Sequence, residues 1–302
     1  MHQVAPGIAM IDTLLGGVTG VTAAYLVTGP RPALVDPGAR TSAPVVREAL
    51  AAAGLGPRDL RWIVLTHVHL DHCGATGILA AAFPEATVVV HRRGARHVAE
   101  PARLVAASAA VYGQRWSLYG GLDPTPAARI EVAEDDHRVA IGGGRVLRMI
   151  GTAGHARHHM SVLDEETGTV IAGDALGVRM EGGGLYPALP PSEIDLDAGD
   201  ASLARIGSLG PARIVISHFG DAGDPAAAVD AARGQLVAVR EAALASRASG
   251  DLEGEIARRL PLERVVGDAA ALARWRRLGW AGANVAGVAG WLASEGDAAA
   301  RQ

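Results

Sequence analysis

Thr66-His67-Val68-His69-Leu70-Asp71-His72 puts three imidazoles and a carboxylate into one short segment. The segment stands directly after the apolar run at 60–65, whose length and Ile/Val content read as a buried strand. A buried strand end holds side chains firmly. Imidazole and carboxylate together suit a borderline cation such as zinc. In an extended segment His67 and His69 point to the same side. Asp71 and His72 fall where the chain turns into a helix and can face a second point. A single metal takes about three protein ligands, so four donors in one string suggest two ions.

Four more donors stand at the ends of apolar runs. Asp36 follows 33–35. His155 lies in Gly151-Thr152-Ala153-Gly154-His155, after 146–150. Asp174 closes Ala172-Gly173-Asp174, after 169–171, and His218 follows 214–217. Groups at several strand termini along one sheet edge can converge, whereas core histidines would be scattered within the strands. Asp36 also opens Pro37-Gly38, so it reads equally as a turn residue or as a partner that orients a ligand.

Short strands are expected at 8–15, 21–28, 33–35, 60–65, 86–91, 129–132, 138–141, 146–150, 160–163, 169–171 and 213–217. Helices are expected at 43–53, 74–83 and 203–209. This alternation argues for sheets covered by helices, and the pattern suggests two strand-rich halves, 8–91 and 129–217. Between them, 100–126 carries Tyr112, Trp116 and Tyr119 among small residues. It reads as a helical, then looped insertion that either lines a pocket or cements itself to the core. Beyond Gly223 the strand signals stop. Val229, Ala232, Leu236, Val239 and Ala243 recur at helical spacing. Further helices with Trp275, Trp280 and Trp291 run to residue 293, before an alanine-rich, fraying end at 295–302. The expected organisation is a catalytic domain at 1–222 and a helical region at 223–302, which covers the site or forms a homodimer interface.

With 302 residues, 49% of them apolar, the chain can bury a large core and is not of the disordered class. Its 28 basic residues are all arginines; set against 32 acidic ones they leave a net charge of -4. No basic block is present, which argues against a nucleic-acid partner. The single cysteine, Cys73, excludes an internal disulfide and fits a reducing compartment. No apolar run reaches the roughly 18 residues of a membrane span, and residues 1–10 lack a basic leader. The expectation is a cytoplasmic protein with a small-molecule substrate and no membrane partner.

The series His67-Val68-His69-Leu70-Asp71-His72, Thr152-Ala153-Gly154-His155, Gly173-Asp174 and Ser217-His218 resembles the metallo-beta-lactamase superfamily. The resemblance spans about residues 8–222 and is nearest in pattern to the glyoxalase II-like and lactonase-like branches. It implies an α/β fold, the four-layer αββα sandwich of two mixed sheets between outer helices, here with a C-terminal helical extension. It also implies that His67, His69 and His155 bind one metal, that Asp71, His72 and His218 bind the other, and that Asp174 bridges both. The implied cofactors are two divalent ions, zinc first, with iron or manganese also compatible.

The activity so implied is hydrolysis of a small ester, lactone or thioester by a metal-bridging hydroxide, with Asp71 or Asp174 accepting a proton. No Gly-x-Ser-x-Gly elbow supports a serine nucleophile instead. Departures sharpen the reading. His69 stands where the flavodiiron branch has glutamate. Asp174 is the bridging aspartate that the beta-lactamases proper lack. The basic glutathione-binding residues of glyoxalase II are not identifiable in the tail. The third motif commonly reads Thr-Pro-Gly-His-Thr-x-Gly-His; here His159 matches its second histidine and His158 replaces a glycine. Two other activities share these motifs: a mononuclear iron sulfur dioxygenase using only His67, His155 and Asp174, and a small-molecule phosphodiesterase. Outside the motifs, Cys73 reads as a packed thiol and Arg157 as exposed. His159 reads as either ligand support or packing, and Tyr186 as a candidate substrate contact.

Overall fold

In the computed structural model, which describes residues 1–191, 193–278 and 280–299, the strands form two mixed sheets. The first contains β1 (His2–Ala5), β2 (Ile8–Asp12), β3 (Ala23–Val27), β4 (Ala33–Val35), β5 (Trp62–Val64), β6 (Thr87–His91) and β7 (Ile130–Ala133) in that spatial order. Its hairpin-linked strands β1 to β4 are antiparallel, and β4 to β7 run parallel. Parallel neighbours need crossovers, and helices supply them. These are α1 (Ala43–Ala52), α2 (Leu70–Cys73) with α3 (Thr76–Ala82), and α4 (Arg92–Ala99) with α5 (Ala102–Tyr112) and α6 (Trp116–Tyr119).

The second sheet holds β8 (Arg138–Gly142), β9 (Arg145–Gly151), β10 (Met160–Asp164), β11 (Thr169–Ile171), β12 (Arg213–Ile216) and β13 (Gly220–Asp221). Its spatial order is β13-β12-β11-β10-β9-β8, and the one parallel pair, β11 with β12, is crossed by α7 (Leu196–Ser208).

Side chains alternate across each strand, so each sheet has two apolar faces to bury. Val35, Val64 and Val89 of the first sheet meet Leu147, Met149, Val162 and Val215 of the second in one core. Their neighbours Leu34, Ile63 and Val88 face the other way, under α1, α3 and the tail helices. Ile150, Val170 and Ile214 pack outward under α7 and the start of the tail. The layers are therefore helix, sheet, sheet, helix, as the motifs implied. The tail comprises α8 (Pro225–Ser249), α9 (Leu252–Arg259), α10 (Leu262–Val266), α11 (Ala269–Leu278) and α12 (Trp280–Ala299). Val239, Ile256, Trp275 and Trp291 join the same core as Leu34 and Ile63. Among the described residues no helix is long and apolar enough to cross a membrane.

Three expectations need correction. The strand at 130–133 pairs with β6, so it completes the first sheet rather than opening the second half. The segment at 92–99, where no element is expected, is helix α4, and His2–Ala5 adds an edge strand. The last helix continues through Ala299 rather than fraying from 295; the rest of the expected frayed end, 300–302, lies outside the described residues.

Candidate metal centre

The loops after β4, β5, β9, β11 and β12 all open on one edge of the sandwich. The two sheets are tied together there: Met160 N–H donates to the Thr66 carbonyl at 2.8 Å, and Ala23 N–H donates to that of Ser217 at 2.7 Å. The seven donors named from the sequence meet at this edge. His67, His69 and His155 bring ring nitrogens within 4.8 Å of one another, and Asp71, His72 and His218 do the same with their donor atoms. The Asp174 carboxylate lies between the two groups. Its Oδ2 is 3.5 Å from His155 Nε2, 4.0 Å from His67 Nε2 and 3.4 Å from His218 Nε2, and its Oδ1 is 3.5 Å from His72 Nε2. His72 and His218 present Nε2 to each other at 3.1 Å, and His155 Nε2 faces His69 Nδ1 at 2.8 Å.

A second set of contacts fixes which nitrogen each ring presents. His155 donates its Nδ1–H to the Ala188 carbonyl at 2.8 Å, and His218 donates to that of Val21 at 3.2 Å. His72 Nδ1 lies 3.4 Å from Asp36 Oδ2. Each contact leaves an Nε2 lone pair turned to the centre. Asp36 is already saturated: it accepts from Thr66 N–H at 2.8 Å, Thr66 Oγ1–H at 2.7 Å and Ser217 Oγ–H at 2.7 Å. It therefore orients the first and last motifs rather than offering itself to an ion. His159 accepts the Asp174 backbone N–H on Nε2 at 3.0 Å, and its Nδ1 bonds Thr152 Oγ1 at 2.9 Å. It supports Asp174. His158, the residue in place of a glycine, accepts Val68 N–H at 3.1 Å and so steadies the turn between His67 and His69. Gly173 has φ of +57°, and a Cβ there would stand 2.6 Å from His159 Nε2 and 2.8 Å from Thr66 Oγ1. That crowding explains the glycine before Asp174.

The donor set fits divalent cations. Among the described residues, His67 Nε2 and Asp174 Oδ1 are buried without a hydrogen-bond partner. Buried polar atoms rarely remain so without a reason. Ligand atoms at about 2.0–2.1 Å from a tetrahedral ion lie about 3.3–3.4 Å apart, close to the separations around Asp174. Burial, then the neighbouring imidazoles of His72 and His69, pushes His67 well below the usual histidine range. Burial and His155 do the same to His69. Burial works against ionised Asp174, but His218, His72 and His155 overcome it and hold the carboxyl well below its usual range. Burial also opposes charge on His72, yet Asp174 and Asp71 raise it well above 6.5. Ionised Asp174 beside neutral His67 and His69 gives the protonation states metal binding requires, and an ion at the second group would displace the proton that His72 holds.

An aromatic wall stands beside the centre, built from the 100–126 insertion, read from the sequence as lining a pocket or cementing itself to the core, and from Trp280, whose part the sequence did not show. Trp280 of α12 packs edge-on against His218, with centroids 4.7 Å apart. Its Nε1–H donates to Tyr119 Oη at 3.0 Å, and Tyr119 stacks on Tyr112 at 3.8 Å. Burial, then the charge of Asp71, raises the Tyr112 phenol well above its usual range. The signal was present as three aromatics in the 100–126 insertion. Tyr186 goes elsewhere: its hydroxyl donates to the Leu260 carbonyl at 3.1 Å, and its ring packs on Trp275, so it anchors the tail. Cys73 is fully buried, with its thiol pushed up by burial.

A two-sheet sandwich with histidines and aspartates gathered where both sheets end defines a metal-binding αββα protein. The chain belongs to the metallo-beta-lactamase superfamily, whose family model matches residues 16–218. It is 33% identical over 165 residues to the metallo-beta-lactamase fold-containing protein ST1585 of Sulfurisphaera tokodaii, a stretch covering 53% of this chain and 61% of that one. It is 31% identical over 121 residues to the N-acyl homoserine lactonase AttM of Agrobacterium fabrum, covering 38% of this chain and 40% of that one. The chain thus matches only about half the length of these curated relatives. The crystal structure of the metallo-beta-lactamase family protein TTHA1429 from Thermus thermophilus superposes with a TM-score of 0.68 at 24% identity. That superposition covers 96% of this chain and 94% of the other, and shows a shared fold.

Proposed function

We propose that the chain is a dinuclear metal-dependent hydrolase of small carboxylic esters, lactones or thioesters. The observation that carries this reading is the Asp174 carboxylate set between a three-histidine group and an Asp71-His72-His218 group. His67, His69 and His155 would hold one divalent ion, Asp71, His72 and His218 the other, with Asp174 shared. Such ions supply Lewis acidity and an acidified water at neutral pH. The chain's own groups do the rest. Asp71, whose Oδ2 lies 3.5 Å from His218 Nε2, or Asp174 would accept the proton. Tyr112 and Trp280, backed by the fully buried Tyr119, exclude water on one side and offer apolar area to an acyl group. The likeness to a protein named as an N-acyl homoserine lactonase favours the lactone among the three bonds.

The test is a panel of aryl esters, lactones and thioesters with metal-loaded protein and a His69→Ala control. Turnover should fall by at least about a hundredfold in the variant. Undiminished activity in His69→Ala would remove the proposed site. Elemental analysis separates the nearest rival: two ions per chain fit the hydrolase, and one iron with oxygen uptake on persulfides would fit a dioxygenase.

A further inference from the structure

His158, which stands where the third motif commonly has glycine, uses both ring nitrogens and offers neither to the metal centre. Its Nε2 accepts Val68 N–H at 3.1 Å, and its Nδ1 lies 3.3 Å from Glu193 Oε2. A backbone N–H can only donate, so Nε2 is the unprotonated nitrogen and the neutral ring carries its proton on Nδ1. Among the described residues the acceptor for that proton is the Glu193 carboxylate. The hydrogen bond from His158 in turn pushes the Glu193 carboxyl down to about 2, so the acceptor is ionised at neutral pH.

Val68 stands between two ligands, and its side chain and backbone are held separately. A Cβ on Gly94 would lie 2.9 Å from Val68 Cγ1, so α4 packs against the side chain. His158 holds the backbone. Its buried ring stands edge-on to that of His69, with centroids 6.1 Å apart. A glycine at 158 would leave the buried Val68 N–H without this acceptor.

The chain leading into α7 also grips the third ligand of the same group. Ala188 carries the carbonyl that takes His155 Nδ1–H, and Asp195 N–H donates to the Gly154 carbonyl at 2.8 Å. Ala188 thus holds His155 directly, while Glu193 reaches His67 and His69 through His158. The ligands of the other group are held from elsewhere, His218 by Val21 and His72 by Asp36.

We propose that Glu193 is a positioning residue for the three-histidine ion alone: it keeps the His158 proton on Nδ1, which leaves Nε2 to hold Val68 N–H and with it the spacing of His67 and His69. This rests on the two-ion reading of the centre. The Glu193 side chain is half-exposed, so it can be replaced without opening the core.

The test uses zinc-loaded full chain with isotope-labelled histidines. Long-range proton–nitrogen NMR reads the ring tautomers, and chelator competition reads the zinc affinities. The wild-type chain should bind two zinc ions and carry the His158 proton on Nδ1. Glu193→Gln keeps an acceptor oxygen and should hold that tautomer and both affinities within about threefold. Glu193→Lys offers only donors. It should move the His158 proton to Nε2 and weaken one ion by about tenfold or more, leaving the other unchanged. Ring shifts of His67, His69 and His155, set against those of His72 and His218, show which ion is lost. Glu193→Ala carries the same expectation at about threefold, should Glu193→Lys not fold. Unchanged affinities in both of these variants, an equal loss of both ions, or a wild-type His158 proton on Nε2 would overturn the proposal while the two-ion reading stands. Fewer than two zinc ions on the wild-type chain would overturn that reading, and this proposal with it.

Discussion

His159 shows how much of the centre depends on residues that touch no ion. It holds the Asp174 backbone and is buried in a setting that pushes its pKa down to about 3, chiefly through desolvation. The unfolded chain takes up that proton near 6.5 and the folded one does not, so the unfolded state binds more protons between those values. Stability should therefore be full above pH 6.5 and fall on acidification towards 3, by up to about 1.4 kcal/mol per unit. Denaturant midpoints of metal-free protein across that window check this; a flat profile would contradict it. His159→Ala should cost about 1–3 kcal/mol at about pH 7, by stranding the Asp174 N–H, and should flatten the acid slope. Gly173→Ala should fail more severely, because its Cβ would meet His159 and Thr66. His67, His69, Asp71 and His72 stood out because their spacing is local, whereas His155, Asp174 and His218 were reached only through their places at strand ends and the motif order. The role of His159 was only half legible, since its partner, Asp174, is fifteen positions away and met through the backbone.

Among the elements, α12 acts on the centre through a loop. Asn284 accepts Leu189 N–H at 2.8 Å and donates to the Pro187 carbonyl at 2.7 Å. Ala188, between those two residues, carries the carbonyl that holds His155. The approach is so close that a Cβ on Gly287 would stand 2.0 Å from the Leu189 oxygen. Asn284→Ala should lower the melting temperature and weaken the His155-side metal by about tenfold or more, read by chelator competition. An unchanged metal affinity would show the loop to be held without it. The strands were legible because alternating apolar residues have nowhere else to go. Helix α4 was not: it carries three arginines and buries only Gly94 and Val98, so it offers no apolar period. Gly94 itself reports packing, since a Cβ there would meet Val68 and Val90 at 2.9 Å.

Over the whole molecule, the tail and the sandwich share one core. Trp275 is 1% exposed and Trp291 6%, both within this chain, and Trp280 rests on His218. A chain ending at residue 222 should therefore expose a large apolar face, aggregate, and lose activity. Size-exclusion chromatography of that truncation checks this; a monodisperse, active product would contradict it. The layered architecture was legible from motif order together with strand and helix alternation. How the tail seats was not, because an alanine-rich helix with spaced tryptophans states that it buries a face without stating against what. The most direct measurement is anomalous diffraction from crystals of metal-loaded protein. Two peaks flanking Asp174, one among His67, His69 and His155 and the other among Asp71, His72 and His218, are the predicted result. No peak at that edge of the sandwich, or a single one distant from Asp174, would contradict the dinuclear centre.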